Sequence, residues 1–478
     1  MAGKVKIPLE HGLYTNADAM QTVDFATVLK ECFITKSGGM VKRPGLSLAV
    51  DLGTSKPVEG LYWFNEGGYA LAVSDGSVFK ITLSGGVYSK TTLTGSTLRN
   101  ATATGGAGRC VFTDDGTNVY IANGGAINYH VAGSATCQPL ADGDAPTSVS
   151  HVAFIDQYIL ALQDGTNKFW WSDVGNGLSW TATSFATAEG DADWILHLGV
   201  GFREIALFGE QSIEIWYNDG STPFSRIPGA YIQRGISSQD SVQFINGVWV
   251  FLDDNNNVCT MRDRSITVVS IPIEKELKEL GNISDALSSR IDIAGETFYV
   301  LSFPTADRTF VWKFDPENKY DGWSEWCGTA GANRFRGQVH THSFGWSVDL
   351  VGDSGNTGKV LVFSTSNVDD EATSAIVSTR RTGWLDHGTL NAKHCIGLSI
   401  KAADSANVTV TAPVLKVRYR NDGSTTWSDY FQLSLTESAI QRKTQLGRYR
   451  TRQWEFLQDE RCILDLSQVE EEVEVMTE

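Results

Sequence analysis

Six carboxylates in the middle of the chain, Glu189, Asp191, Asp193, Glu210, Asp253 and Asp254, are of the type that hydrolyses glycosidic bonds. That chemistry needs two of them flanking a sugar, one as acid and one as base or nucleophile. Their spacing singles out no pair, and a solvated acidic loop accounts for each. His340 and His342 would put two imidazoles on one face of a strand. Two are too few for zinc, and no third ligand lies near in sequence. Asp253-DNNN has the composition of a calcium loop but lacks the Gly of the sharp turn and the distal bidentate Glu, so it reads as a polar hairpin turn. Tyr419-RNDGSTTWSD approaches the Asp box of sialidases, with Asp422, Thr426 and Trp427 in place, Arg420 instead of Ser, and Gly423 one position early. Even complete, such a box braces a hairpin. Gly105-GAG and Gly124-Gly125 precede no helix and lack the Gly-Lys-Ser/Thr ending of a phosphate loop. No G-x-S-x-G elbow occurs. Seven scattered cysteines contain no C-x-x-C pair, which signals neither a disulfide framework nor a zinc site and suits a reducing cytoplasm. The expectation is a non-enzymatic chain with no catalytic residue, metal or cofactor.

One basic segment stands out. In Gln441-RKTQLGRYRTRQ, Arg442, Lys443, Arg448, Arg450 and Arg452 lie within eleven residues. Arg448, Arg450 and Arg452 alternate, so one continuous strand would project all three to one side. Phosphate contact and docking on the acidic part of a neighbouring subunit are both open to it. The second is favoured, because the chain carries a net charge of −17 and Arg suits bidentate carboxylate pairing. These five residues are therefore the expected subunit interface.

The elements that must position these groups are hairpins. A run of alternating apolar residues, a Gly or Asp-Gly turn and a second β-rich run recur from Gly67-GYALAVSDGSVFKI to Phe344-GWSVDLVGDSGNTGKVLVF. The starts fall about 40 to 50 residues apart, as in propeller blades. Asp75-Gly76, Asp115-Gly116, Asp164-Gly165 and Asp219-Gly220 can supply the positive φ of tight hairpin turns. One hairpin cannot bury its own apolar face; units stacked radially share a core and leave short edges. The expected fold is all-β: a β-propeller of about seven blades, with six also compatible, over residues 51–370, then a β-sandwich-like platform over 371–478. Residues 1–50 are expected to be an arm packing on the platform, with a short helix or an extended stretch in Ala17-DAMQTVDFATVLKECF. Ile273-EKELKELGNISD reads as one amphipathic helix on a rim loop, and Val469-EEEVEVMTE as a frayed tail or a last strand. The start, Met1-AGKVKIPLEHG, shows no signal peptide, and no run reaches membrane-spanning length.

Charge is uneven. Residues 370–478 carry a net −3 and the remainder −14, so the acidic part is the repeat region. Such a field keeps a protein soluble and argues against nonspecific DNA binding, which needs a basic footprint.

Three stretches together carry a family resemblance: the Lys-Arg-Pro-Gly-Leu entry in Met40-VKRPGLSLAV; Arg203-EIALFGEQSIEIWYND with its Gln233-RGI step; and the closing Tyr419-RNDGSTTWSDYFQLSL with Arg442-KTQLGRYRTRQWEF. The pattern resembles the tail nozzle, or packaged-DNA stabilisation, proteins of short-tailed bacteriophages. The closing segment departs from it in lacking a tandem Trp-Arg-Arg. The resemblance implies a virion tail subunit, assembled in the bacterial host cytoplasm as a homohexameric ring below the portal and its adaptor. It implies contacts with a tail needle or tip, with fibres or spikes, and transiently with passing double-stranded DNA. The implied role is to close the portal channel, retain packaged DNA and conduct it during ejection. A propeller glycosidase and a non-catalytic adhesin or scaffold propeller are the alternatives. Clustered exposed aromatics on one propeller face would point to the last.

Overall fold

The computed structural model describes residues 2–16, 24–100, 109–220, 223–315, 317, 322–328, 333–371, 374–407, 409–436 and 440–476. Nearly all regular structure among them is strand. The first blade is a four-stranded antiparallel meander, Gly60–Phe64, Tyr69–Ser74, Ser77–Ser84 and Val87–Leu93. Five more meanders of consecutive strands follow, over 111–139, 149–187, 195–232, 243–268 and 287–325. A seventh position in the ring is composite. Gly337–Ser343, Val348–Asp353 and Lys359–Ser364 supply three strands, and the outer one is Gly45–Asp51 from the start of the chain. That register, from Gly45 on Ser364 to Asp51 on Lys359, closes the ring by pairing its two ends.

Local chemistry explains the meanders. Asp75 and Gly76 sit at φ 51° and 71°, the left-handed pair that matches a hairpin's twist. Gly116, Gly165 and Gly220 are also positive. Alternation buries both faces of a blade, each against a different neighbour. Val119 and Ile121 enter one apolar cluster, and Tyr120 and Ala122 the next. Trp171 and Trp170 divide the same way: Trp171 is buried in one interblade core, and Trp170 packs on another beside Phe185.

The platform is a second layered body grown from blade six. Its outer strand, Trp323–Glu325, pairs in parallel with Ala26–Lys30 through Lys30 and Glu325. The same sheet continues through Ser378–Thr382, Arg452–Gln458, Val414–Asn421 and Phe431–Ser434, nine strands in all. A seven-stranded sheet faces it. At its centre Asp465–Val475 lies between Lys393–Ala402 on one side and Ala2–Lys6 with Met40–Lys42 on the other. The acidic C-terminal run is thus a central strand. Leu398, Ile400 and Val469 meet Leu415, Val417 and Trp454 between the layers.

The first fifty residues do not stand apart. They give strands to both platform sheets and one to the propeller. Of the segment in which a helix was expected, residues 17–23 lie outside the described residues, and Ala26 onward is strand. The amphipathic helix is shorter than its pattern, Glu274–Glu279, and its Leu277 joins the core shared by blades five and six and the platform.

The joint between the two bodies is polar. Arg43 lies between a platform strand and the closing propeller strand, and it is buried. It donates from Nε to Glu31, from a terminal nitrogen to Asp370 Oδ2 (2.9 Å), and to the carbonyls of Pro44 (3.1 Å) and Cys327 (3.4 Å). Glu31 accepts the Cys327 amide at 2.7 Å, and Asp370 accepts the Leu46 amide at 3.2 Å. A Cβ on Gly45 would stand 1.9 Å from the Asp369 carbonyl oxygen, so only glycine fits there. Lys42 is also buried and donates to Gln458 (2.6 Å) and to the Glu460 carbonyl (2.8 Å). Replacing Arg43 by Met leaves two buried carboxylates without their partner. The expected loss is about 3–5 kcal/mol, read as a lowered midpoint in urea unfolding followed by tryptophan fluorescence.

Candidate functional site: the propeller axis and the platform face

The inner strand of each blade lines the propeller axis, and its polar side chains meet there. His151 and His197, from the inner strands of blades three and four, have ring centroids 4.5 Å apart. His197 Nδ1 is 2.9 Å from the Gln239 carbonyl, to which it donates. Arg109 reaches across to the Asp240 carbonyl at 3.2 Å. On the far side His340 Nδ1 lies 2.7 Å from Ser289 Oγ. The Nε2 atoms of His151 and His340 are buried without a hydrogen-bond partner. Burial pushes His197 down to about 4, with Arg109 adding to the shift against the Gln239 bond. Burial, then Arg109, push His340 to about 3. His151 is driven well below 6.5 by burial, then by His197 and Arg109. The axis is therefore packed with neutral imidazoles around one guanidinium.

Of the carboxylates read as candidate acids, Asp193 and Asp253 are structural, while Glu189, Glu210 and Asp254 are exposed. Asp193 is buried and accepts the amides of Gln211 (2.8 Å) and Ser212 (3.1 Å). Asp253 is fully buried, accepts the amides of Asn255 (2.9 Å) and Asn257 (2.7 Å), and pairs with Arg234 at 2.5 Å. The polar turn read at that position is the turn found. The same Arg234 belongs to the Gln233-RGI step. Next to it, a Cβ on Gly235 would lie 2.0 Å from the Glu210 carbonyl oxygen. Asp422 of the near Asp box accepts the amides of Arg450 (2.7 Å) and Thr451 (2.9 Å), so it ties two loops together. Among the described residues no three His, Cys, Asp or Glu are grouped to hold a metal. Gly105-GAG lies outside the described residues, and Gly124-Gly125 is a turn with Gly124 at φ 90°.

The basic segment does not form one continuous strand. Gln441–Thr444 and Arg448–Tyr449 are short edge strands on Lys393–Ala402, and Arg452 begins a strand of the other sheet. Arg442, Lys443, Arg448 and Arg450 are exposed. Arg442 pairs with Glu472 at 2.5 Å, and Arg450 donates to the Leu390 carbonyl at 2.9 Å. Arg452 corrects the expectation of three arginines on one side. It is fully buried, with Tyr449 and Tyr419 stacked at 4.0 and 4.2 Å, and it donates to the Leu446 carbonyl (2.7 Å) and Asn421 Oδ1 (2.9 Å). Behind it, Glu471 accepts from Tyr449 Oη (2.6 Å), Trp454 Nε1 (3.1 Å) and His387 Nε2 (3.2 Å). Burial would raise that carboxyl, but His387, Arg452 and Tyr449 hold it below its ordinary value. A chain that must bury this pair turns Arg452 away from any neighbour.

A second cationic group escaped the sequence reading. Arg418 and Arg420 each stack on Trp427 at 4.8 Å, and Arg381 does so at 5.1 Å. Glu455 accepts from Arg418 at 2.5 Å and from Arg381 at 2.6 Å. The period-two spacing of Lys416, Arg418 and Arg420 was its legible sign. Arg109, His151 and His197 gave no such sign, because blade stacking alone brings them together.

The axial imidazoles make stability depend on pH. Their folded pKa values lie below the ordinary 6.5, so the unfolded chain binds more protons at acid pH. The contribution is complete above 6.5 and is lost as pH falls from 6.5 toward 4. A thermal melting series is expected to show the midpoint dropping over that window. His197→Gln, facing His151, Arg109 and Asp240, is expected to shrink the drop.

No curated protein matches the chain. Solved structures resemble it only remotely. One is the extracellular domain of the hybrid two component system BT4673 from B. thetaiotaomicron, at 8% identity and TM-score 0.45, covering 76% of this chain and 43% of that one. Another is the computationally designed Ika8 protein, at 12% identity and TM-score 0.37, covering 66% and 99%. The chain thus spans less than half the length of the first. A family model described as "Bacteriophage P22 Gp10, beta-propeller" matches residues 5–365, from the first platform strand through the composite blade. The chain belongs to the bacteriophage P22 Gp10 β-propeller family and is a bacteriophage structural protein, a component of the virion.

Proposed function

We propose that the chain is the subunit of a short-tail nozzle, a homohexameric ring, that closes the portal channel, retains packaged DNA and conducts it at ejection. The reading rests on family membership, and one structural observation supports it. Propeller and platform share a nine-stranded sheet and a buried ionic joint, contacts that stiffen the protomer across the seam. A wall that holds pressurised DNA needs such stiffness and no catalytic turnover.

Ring closure follows from charge. The exposed cations Arg442, Lys443, Arg448 and Arg450 lie at the platform edge of an otherwise acidic molecule. A heterologous contact that closes a ring would set this edge against the acidic propeller of the next copy. One end of the ring would meet the portal and adaptor, the other the needle or tip, with fibres or spikes at the side. An acidic lumen lets a polyanion slide without grip.

The test is assembly. Purified chain, alone or on portal–adaptor rings, is expected to form rings in electron microscopy and in analytical ultracentrifugation. The triple change Arg442→Glu, Lys443→Glu and Arg448→Glu is expected to weaken ring formation at least tenfold with an unchanged circular-dichroism spectrum. Monomers alone at micromolar concentration, on portal–adaptor rings as well as free, would end this reading.

A further inference from the structure

Exposed apolar side chains of the propeller gather on one face. In blades one to five the turn from first to second strand and the turn from third to fourth open on the same side of the disc, because the inner strands run the same way, and the first-to-second turns of the other two blades join them. Among the described propeller residues, ten large hydrophobic side chains are exposed, and seven of them sit at these turns. Phe202 and Phe344 are the most exposed, at 75% and 73%. Each stands at the lip of a cavity. A hollow of about 490 Å³ beside Phe202, between blades four and five, is lined by Trp249 and by the Glu204–Arg264 pair (3.2 Å). A hollow of about 450 Å³ beside Phe344 is the mouth of the propeller axis, with Arg109 at its floor.

The walls of the axial mouth are polar and fixed in place. Arg290 holds Asp292 by two bonds, 2.9 and 3.3 Å, and Thr297 Oγ1 donates to the same carboxylate at 2.5 Å. His342 Nδ1 is 2.8 Å from Asp349 Oδ1, and its ring meets Phe344 edge to face at 4.9 Å. Each carboxylate keeps acceptor capacity beyond these bonds. Two cations and two anions leave the mouth without net charge of its own.

We propose that this face binds a neutral pyranose, the repeating unit of an uncharged polysaccharide, with the sugar ring stacked on Phe344 in the axial mouth and the Phe202 hollow as a second subsite. A pyranose has one face of C–H groups, which suits the electron-rich face of an exposed aromatic ring. Its edges carry paired hydroxyls, which suit rigid carboxylate and guanidinium groups. The hollow has the size of a small-ligand site. A charged glycan is disfavoured, because the chain carries −17 and the mouth has no surplus of cations. The inference is independent of ring formation: a chain that forms rings could fail it, and one that stays monomeric could pass it.

Saturation-transfer NMR on the full chain tests this. The probes are neutral hexoses, N-acetylglucosamine oligomers, a neutral O-polysaccharide, a neutral capsule-type glucan and, as a contrast, an oligouronate. Transfer to at least one neutral pyranose is expected, and the arm that responds identifies which polymer supplies it. Phe344→Ala and Asp349→Asn are each expected to weaken that binding at least tenfold, while Val174→Ala, at a distant turn of the same face, leaves it unchanged. Absence of transfer to every neutral probe overturns the proposal. So does binding that survives Phe344→Ala, or an oligouronate that binds as well as the neutral sugars.

Discussion

The guanidinium of Arg43 is the contact on which the arrangement of this molecule turns. Removing one cation and two carboxylates from water costs several kcal/mol per ion, and only full pairing offsets it. Glu31, Asp370 and two carbonyls supply that pairing, and they come from the arm, the region after the last blade and the loop beyond blade six. Desolvated and unpaired, any one of them would be intolerable, so the three segments must converge. The joint therefore fixes how the platform sits on the propeller. Pro44 and Gly45 follow from it: the chain must leave the ionic pocket and enter a blade edge at once, where the Asp369 carbonyl leaves no room for a side chain.

That accounts for the Lys-Arg-Pro-Gly-Leu entry by packing, without any chemistry. Lys42 and Arg43 are the most hydrophilic residues of their segment, yet both are buried at the joint. In the sequence they look like surface residues beside a turn. Arg234 and Gly235 repeat the pattern at the crossing from blade four to blade five, where the cation neutralises buried Asp253 and the glycine admits a neighbouring carbonyl. Two of the three stretches that carry the resemblance are thus places where the fold needs a specific residue.

Legibility followed the range of the interaction. Asp75-Gly76 announces its hairpin because the φ preference acts within two residues. The alternation of Val119, Tyr120 and Ile121 announces a strand, and its two apolar faces already imply a blade packed on both sides. The pairing of Gly45–Asp51 with Lys359–Ser364 spans more than three hundred residues and leaves no local trace. Arg452 was misread for a related reason. Period-two spacing in Arg448, Arg450 and Arg452 assumes an unbroken strand, but Asp422 captures the amides of Arg450 and Thr451 and turns the chain between two sheets. Of the axial histidines only His340 stood out in the sequence, as half of a pair with His342, and the convergence of His151, His197 and His340 left no local trace because each belongs to a different blade.

The axis bears on the route DNA would take under the proposed role. A single propeller offers a cavity of about 450 Å³ at its mouth, filled beneath by His151, His197, His340 and Arg109. A duplex, whose major groove alone is about 12 Å wide, has no passage there. Under the proposed role the conduit must therefore lie between copies and be walled by their outer surfaces. Those surfaces belong to the acidic part of the chain, which carries −14 over residues 1–369, and that charge repels phosphate and favours transit over capture. Several arginines are held internally: Arg452 is sealed in the core against Glu471, and Arg381 and Arg418 are tied to Glu455 under the Trp427 ring. Under the proposed role, the four exposed cations of the platform edge, Arg442, Lys443, Arg448 and Arg450, are left for the contact with the next copy, and the acidic remainder forms the wall beside DNA.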